Sequence, residues 1–221
     1  AGRRSARVAA PPRQRRRMAA SACVERTDLE AGAAEPYTES EIVFRELQPR
    51  DVIELRELQL ALFPVRYSDS FYERIFTDGH YTIVGCTVPD GEIVAVASVR
   101  IVQRGDDAPP AQRNLREAYI MTLGVKESQR RRHLGNRVLR ACLELVAARR
   151  PCDVATLHVK SDNLGALRFY ERYGFVVDPD GFCKDHYLIE GVLHDAYRLT
   201  YSLPPPQSLS LLSFLPRCTV V

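Results

Sequence analysis

The sequence has no tryptophan, only two methionines, and no apolar run of the length that a membrane-spanning helix needs. Such a helix takes about 20 consecutive apolar residues, whereas the best run here, Ile93–Val99, has the length of a strand. The six cysteines form no Cys-x-x-Cys pair, and none stands at zinc-finger spacing from a histidine, so the sequence predicts no metal site. We interpret these cysteines as reduced core thiols of a protein from a cytosolic-type compartment.

Acidic residues are absent from the first 17 positions, which hold seven arginines. Subtracting those seven charges from the formal net charge of +3 leaves −4 for residues 18–221. The net positive charge of the chain therefore comes from its first 17 residues, and we expect no nucleic-acid partner. Residues 1–40 lack hydrophobic periodicity, which predicts disorder. Because the first methionine is Met18, translation starts there or the tail is an organelle transit peptide, and we favour the first interpretation.

Hydrophobic periodicity is confined to residues 41–203, which predicts one domain there. Asp51–Phe63 and Asn136–Arg149 carry apolar residues at helical spacing, and Leu164–Tyr173 is a third helix, closed by Gly174 as a left-handed cap. Ser68 can cap a further short helix, Asp69–Phe76, so the predicted order is β-α-α-β-β-β-α-β-α-β-β. Hairpins mixed with crossover helices predict an α/β (α+β) fold with a mixed central sheet and about four helices. The predicted strands are Ile42–Glu46, Tyr81–Val88, Glu92–Arg104, Ala118–Val125, Val154–Val159, Phe175–Val177 and Ala196–Tyr201.

Residues 204–221 form a proline-rich and then apolar C-terminal tail. Its leucines and Phe214 are too few to span a membrane, but they could pack on the domain or contact a membrane surface. The final four residues, from Cys218 to Val221, have the outline of a prenylation box, which we interpret as a chance match.

An arginine-rich segment, Gln129–Asn136, lies between a predicted strand and a predicted helix. Such a junction offers free backbone N–H groups and the positive end of the helix, which suit a diphosphate. Its three consecutive arginines add positive charge. By itself, however, an arginine-rich loop is equally well explained as a solvated turn.

The surrounding segments make the phosphate interpretation specific. Tyr119–Val125 precedes the loop, and Asn163–Phe175 follows it with the pattern N-x-x-A-x-x-F-Y-x-x-x-G-F. Together they resemble the acetyl-CoA core of the GNAT superfamily, whose loop reads R-x-x-G-x-G/A. The resemblance implies the GNAT acyl-CoA N-acyltransferase fold and acetyl-CoA as co-substrate. One departure is His133, which stands at the first glycine of the loop, while Gly135 keeps the second.

Two further segments resemble particular types of enzyme within this superfamily. Phe63–Tyr72 is similar to the substrate loop of the NatE and NatF types of N-terminal acetyltransferase, and His186–Asp195 is more similar to the NatF type. The resemblance as a whole extends from about Ile42 to Leu203. This resemblance implies an Nα-acetyltransferase that acts on the free α-amino group of protein N-termini, with methionine as the expected first residue.

Acyl transfer to an amine needs a neutral nitrogen, and an α-amino group with a pKa of about 8 is mostly charged at pH 7. A base must therefore remove a proton, directly or through water. The resemblance assigns this role to Tyr119 and His158. The alternatives are a satisfied core histidine at His158, between Leu157 and Val159, and a packed strand aromatic at Tyr119.

The other site residues follow from the same resemblance. Tyr170 would protonate the leaving thiolate, or else pack as a helix-face residue, and Asn163 would contact the pantetheine arm, or else cap its helix. Backbone N–H groups around Leu123 and Val125 would polarise the thioester. The full set implied for acetyl-CoA is Met121, Thr122, Leu123, Val125, Arg130, Arg131, Arg132, His133, Leu134, Gly135, Asn163 and Tyr170. The set implied for the peptide is Phe63, Pro64, Val65, Tyr67 and Tyr187.

Three other functions stay open on the sequence. The chain could acetylate lysine side chains, including those of histone tails, or small amines, or it could be a catalytically silent protein that binds CoA. Nucleic-acid binding by the arginine tail is the third, and the acidic body disfavours it. The expected location is cytosolic. The NatF resemblance adds peripheral attachment of the C-terminal tail to the cytosolic face of a membrane such as the Golgi.

Overall fold

The computed structural model describes residues 41–105 and 114–204. The predicted disorder of residues 1–40 lies outside these residues, as do the prenylation box and almost all of the C-terminal tail with its expected membrane contact. Within the described ranges, every helix is too short or too polar to cross a membrane.

The described residues form seven strands and four helices in the predicted order. The strands are β1 (Ile42–Glu46), β2 (His80–Thr87), β3 (Ile93–Gln103), β4 (Arg116–Val125), β5 (Val154–Lys160), β6 (Val176–Ile189) and β7 (Val192–Ser202). The helices are α1 (Val52–Leu62), α2 (Asp69–Arg74), α3 (Leu134–Arg149) and α4 (Leu164–Tyr173).

The last hairpin is much longer than the sequence predicts. The sequence predicts β6 only at Phe175–Val177 and β7 only from Ala196. In the structure β6 continues to Ile189, and β7 begins at Val192, directly after the turn. Most of β6 is exposed, and its pairing with β7 shifts register twice. Hydrophobic alternation therefore does not mark this strand in the sequence.

All seven strands belong to one mixed sheet of order β1-β2-β3-β4-β5-β7-β6. Only the β4–β5 pair among these described strands is parallel, and the other pairs are antiparallel. The α/β class and the mixed sheet are therefore confirmed.

The sheet is buried on two faces. The apolar side of α3 packs on one face together with alternate residues of β2 and β3, such as Ile83 and Ala97. Leu55 of α1 and Tyr72 of α2 pack on the other face, against residues such as Val84. Because both faces are covered, β3 reads in the sequence as a nearly continuous apolar run. The face of α3 is the predicted one: Val138, Leu139, Cys142, Leu143 and Val146 are all buried.

The sheet opens in its middle. β4 and β5 pair only from Glu117 to Tyr119, opposite Val154 to Thr156. Beyond Tyr119 the edge of β4 that faces β5 has no strand partner among the described residues. A register shift against β3 places one extra residue, Met121, between Ile120 and Thr122 at the same point. The two strands therefore diverge, and their separation creates the cleft described next.

Candidate active site

The opening between β4 and β5 is a cleft of about 300 Å³. Its walls come from both strands, from the segment after α1, from α4 and from β6. The cleft brings together Phe63, Pro64, Val65, Tyr67, Tyr119, Met121, Thr122, Leu123, His158, Asn163, Tyr170 and Tyr187 of the predicted site. Ile120, Leu157, Val159, Lys160, Ala166 and Ile189 also line it, and the sequence did not single them out.

Tyr119 and His158 lie side by side in this cleft, although 39 positions separate them in the chain. Tyr119 pairs with Thr156, and His158 is two residues further along β5, so both side chains point to the same face of the sheet. The hydroxyl of Tyr119 is 3.1 Å from Nδ1 of His158, so the two groups form a hydrogen bond whose direction depends on the tautomer of the ring. Since His158 lines an open cleft, it is not the enclosed core histidine of the alternative interpretation.

Both groups of this pair are uncharged at neutral pH. Burial, with smaller contributions from the neighbouring His186 and Arg198, lowers the pKa of His158 to about 4. Burial also raises the pKa of the Tyr119 phenol above its usual range. The imidazole of His158 is therefore neutral, and it is a weak base.

An ion-pair network lies beside the pair. Arg198 forms ion pairs with Glu117 and Asp178, and Arg104 contacts Glu117 at 2.9 Å. Burial acts against the charge of Glu117, but the two arginines outweigh it, so the pKa of that carboxyl is lowered. The charge of Arg198 is thus compensated while it still disfavours protonation of His158.

Tyr170 and Asn163 of α4 face the cleft from the other side. Tyr170 is buried, which raises the pKa of its phenol, and its ring packs edge-on against Phe169 and Phe175. Its hydroxyl therefore carries a proton at neutral pH. Oδ1 of Asn163 accepts a hydrogen bond from the backbone N–H of Ala166 at 3.1 Å, so Asn163 is the helix cap and also lines the cleft.

Aromatic rings form one wall of the cleft. Phe63 meets Tyr67 edge-on at 6.1 Å, and Tyr67 stacks on Phe71 at 4.5 Å. The hydroxyl of Tyr187 donates a 2.9 Å hydrogen bond to the backbone carbonyl of His158. Tyr187 therefore fixes β6 to β5 next to the histidine, as well as contributing to the wall.

The arginine-rich loop precedes α3 and does not line this cleft. His133 is the residue before the helix, with φ +57°, and Arg131 has φ +65°. His133 thus adopts the backbone conformation that glycine would adopt at this point, at a cost of about 1 kcal/mol. The side chain of Leu134 is buried in the core, so only its backbone can face a phosphate. A Cβ on residue 135 would lie 3.1 Å from Cε2 of Phe169, so glycine at the second glycine position of the loop avoids a close contact with this ring.

Two neighbours of His158 were missed in the sequence. The ring of His186 stacks on that of His158 at 4.1 Å, and Cys183 lies close to both. The only signal was that His186 precedes Tyr187. The interpretation of the cysteines as core thiols holds for Cys86 and Cys142 but is wrong for Cys183, which is partly exposed, as is Cys152.

Comparison with known proteins agrees with this geometry. Residues 52–175 match the family described as Acetyltransferase (GNAT) family. N-alpha-acetyltransferase 60 of Xenopus tropicalis is 30% identical over 178 residues, which cover 76% of this chain and 72% of the relative.

Two solved structures from Arabidopsis thaliana are also similar. NAA60 in complex with a bisubstrate analogue is 25% identical, with a TM-score of 0.63 over 73% of this chain and 98% of that one. Naa50 in complex with the bisubstrate analogue CoA-Ac-MVNAL is 26% identical, with a TM-score of 0.59 over 73% and 99% of the two chains.

Proposed function

The chain belongs to the Acetyltransferase (GNAT) family, and on that premise we propose that it acetylates the free α-amino group of protein N-termini. Acetyl-CoA is the donor, and N-termini that start with methionine are the preferred acceptors. The observation that carries the proposal is the uncharged Tyr119–His158 pair in an apolar cleft where β4 and β5 separate. The similarity to N-alpha-acetyltransferase 60 supports the choice of an α-amine.

The reaction forms a C–N bond and breaks the C–S bond of the thioester. The peptide amine enters as the neutral base and attacks the carbonyl carbon. Backbone N–H groups on the unpaired edge of β4, around Leu123 and Val125, polarise the carbonyl oxygen. The nitrogen becomes acidic once the bond has formed, so the Tyr119–His158 pair can accept its proton although His158 is a weak base. The phenol of Tyr170 then supplies a proton to the departing thiolate, and the proton that the Tyr119–His158 pair took up is returned through water to restore the phenol.

Acetyl-CoA binding is assigned to α4, β4 and the loop before α3. Asn163 and Tyr170 line the cleft beside Met121, Thr122 and Leu123, where the pantetheine arm would pass. The diphosphate would lie against the backbone from Arg130 to Gly135, at the N-terminus of α3. The left-handed conformation of His133 supports this assignment because it keeps the loop shape that glycine gives.

The preference for methionine rests on the wall of the cleft. Phe63, Pro64, Val65, Tyr67 and Tyr187 offer an apolar surface for the first side chain. A lysine substrate would have to place its own peptide backbone further from the pair. Naa50 of Arabidopsis thaliana, a structural neighbour, was captured with an analogue whose peptide part is MVNAL. We further propose peripheral membrane contact through the C-terminal tail at the cytosolic face.

A peptide panel tests the proposal. Acetyl transfer is measured on peptides with a free N-terminal methionine, on the same peptides with a blocked N-terminus, and on peptides with internal lysines. We expect activity on the free N-termini only, and a fall of at least about a hundredfold in His158→Ala. His80→Ala is the matched control, because His80 lies outside the cleft in a different depression. Activity confined to lysines, or CoA binding without turnover on any peptide, would refute the proposal.

A further inference from the structure

His158, Cys183 and His186 form a cluster of metal-binding side chains at the edge of the cleft. Each offers one ligand atom, and these three atoms lie within 4.8 Å of one another. They come from two strands that are not neighbours, since β7 lies between β5 and β6. The cluster is therefore a product of tertiary structure, and no spacing rule for metal sites would find it.

An irregularity in β6 makes the cluster possible. Cys183 and His186 are three positions apart, which in a regular strand would place their side chains on opposite faces. The pairing with β7 passes from Cys183–Ala196 to Tyr187–His194, so β6 holds two extra residues here. Asp185 within this bulge has φ +52°. Its N–H donates a 2.9 Å hydrogen bond to the side chain of Asp195. The bulge thus turns Cys183 and His186 to the same side, towards His158.

The chemistry of the three ligands fits zinc. Imidazole nitrogen and thiolate sulfur are both ligands that Zn²⁺ binds in proteins, and three protein ligands leave a fourth position for water. A neutral imidazole offers one ring nitrogen to a metal ion, and histidine is the commonest metal ligand among the side chains. The thiol of Cys183 is not in a disulfide, and it would release its proton on binding.

Zinc binding requires the ring of His186 to turn out of its stack on His158, because the two rings are inclined by only 19° and their in-plane lone pairs do not converge on one point. Ligand atoms at about 2.0–2.3 Å from a tetrahedral Zn²⁺ lie about 3.3–3.8 Å from one another. His186 is exposed and can close the remaining gap by rotating its ring. The nearby cation, Arg198, is already paired with Glu117 and Asp178, so its charge is compensated.

We propose that His158, Cys183 and His186 bind a Zn²⁺ ion, and that this ion inhibits acetyl transfer by occupying a lone pair of His158. The inhibition rests on the proposed function, whereas the binding does not. With zinc bound, the Tyr119–His158 pair can no longer accept the proton of the attacking amine. The ion is thus a reversible inhibitor at the substrate end of the cleft.

Binding is tested first, with Co²⁺ as a spectroscopic probe on the full chain freed of metal and CoA. We expect one equivalent of Co²⁺ to produce a thiolate-to-metal charge-transfer band, which added Zn²⁺ removes. The band should be lost in Cys183→Ser and kept in Cys152→Ser, because Cys152 is a partly exposed thiol outside the cluster. An absent band, or the same band in Cys183→Ser, would overturn the binding site.

Inhibition is tested next, with free Zn²⁺ set by a metal buffer and the acetylated peptide measured by mass spectrometry at initial rates. Released CoA carries a thiol that binds zinc, so its detection would disturb the assay. We expect Cys183→Ser to keep the zinc-free rate and to need at least about ten times more free Zn²⁺ for half-inhibition. Equal half-inhibition in both proteins would overturn the proposal. A chain that acetylates no peptide even without zinc would instead overturn the proposed function, and the Co²⁺ band would still decide the metal site.

Discussion

The pH dependence of the reaction follows from the low basicity of His158. Its pKa is about 4, whereas that of the α-amine is about 8. Moving a proton from a bound ammonium group to His158 would therefore cost about 5 kcal/mol. Water reaches this half-buried ring and screens the interactions that lower its basicity, which reduces the cost to about 3 kcal/mol. It still exceeds the cost of taking up the neutral amine at pH 7, which is about 1.4 kcal/mol.

The amine should consequently enter as the free base, and the substrate rather than the enzyme should set the pH profile. We expect kcat/KM to rise about tenfold per pH unit between pH 6 and 7.5 and to level off near the pKa of the amine, at about 8. The histidine stays neutral throughout this window, since protonation becomes appreciable only near its pKa of about 4.

The assay uses initial rates from pH 5 to 9, with saturating acetyl-CoA and peptide well below its KM. His158→Ala should lower the whole curve without moving the break, because the break belongs to the peptide. A plateau from pH 6 to 8 followed by a fall would show that the ammonium form binds. A break near pH 6.5 that disappears in His158→Ala would show an ordinary histidine base. Either result would refute the argument from burial.

Substitutions at three positions test other parts of the site. Tyr170→Phe should lower kcat about tenfold to a hundredfold with an unchanged KM for acetyl-CoA, as measured by steady-state kinetics, because only the acid is removed; an unchanged kcat would contradict this role. His133→Gly should lower the KM for acetyl-CoA and raise the free energy of unfolding in urea by no more than about 1 kcal/mol, because glycine adopts the left-handed conformation without strain. His133→Ala keeps the strained Cβ, so neither its KM nor its free energy of unfolding should improve. If both variants bind acetyl-CoA more weakly, the imidazole is itself a ligand. Gly124→Ala would place a Cβ 2.6 Å from Cδ1 of Leu62 and 3.0 Å from Cζ of Phe63, so it should raise the KM for peptide and destabilise the protein by about 1–2 kcal/mol in urea unfolding. A normal peptide KM would show that the end of α1 does not shape the cleft.

The sequence was most informative where the interactions are local. Helical periodicity predicted α3 and its buried face, and Gly174 predicted the end of α4, where it has φ +111°. These signals depend on residues three or four positions apart, so they survive without knowledge of the rest of the fold. The prediction that Tyr119 and His158 act together rests on the resemblance to the GNAT superfamily, and the structure places the two side chains at hydrogen-bond distance.

The sequence was least informative where strands meet. The length of β6, its bulge and the burial of the Leu134 side chain have no local signature. The same holds for the approach of Cys183 to His158, since a bulge changes which face each later side chain occupies.

The sequence by itself determined the order of the elements, the GNAT family and most of the residues that line the cleft, because fixed residue types at fixed spacings carry that information. The tertiary structure alone decided what those residues can do chemically. Burial beside Arg198 and His186 makes His158 a neutral, weak base, and the bulge in β6 gives it a thiol and a second imidazole as neighbours. Both properties depend on groups that are distant in the chain and close in space, where desolvation and short-range contacts act.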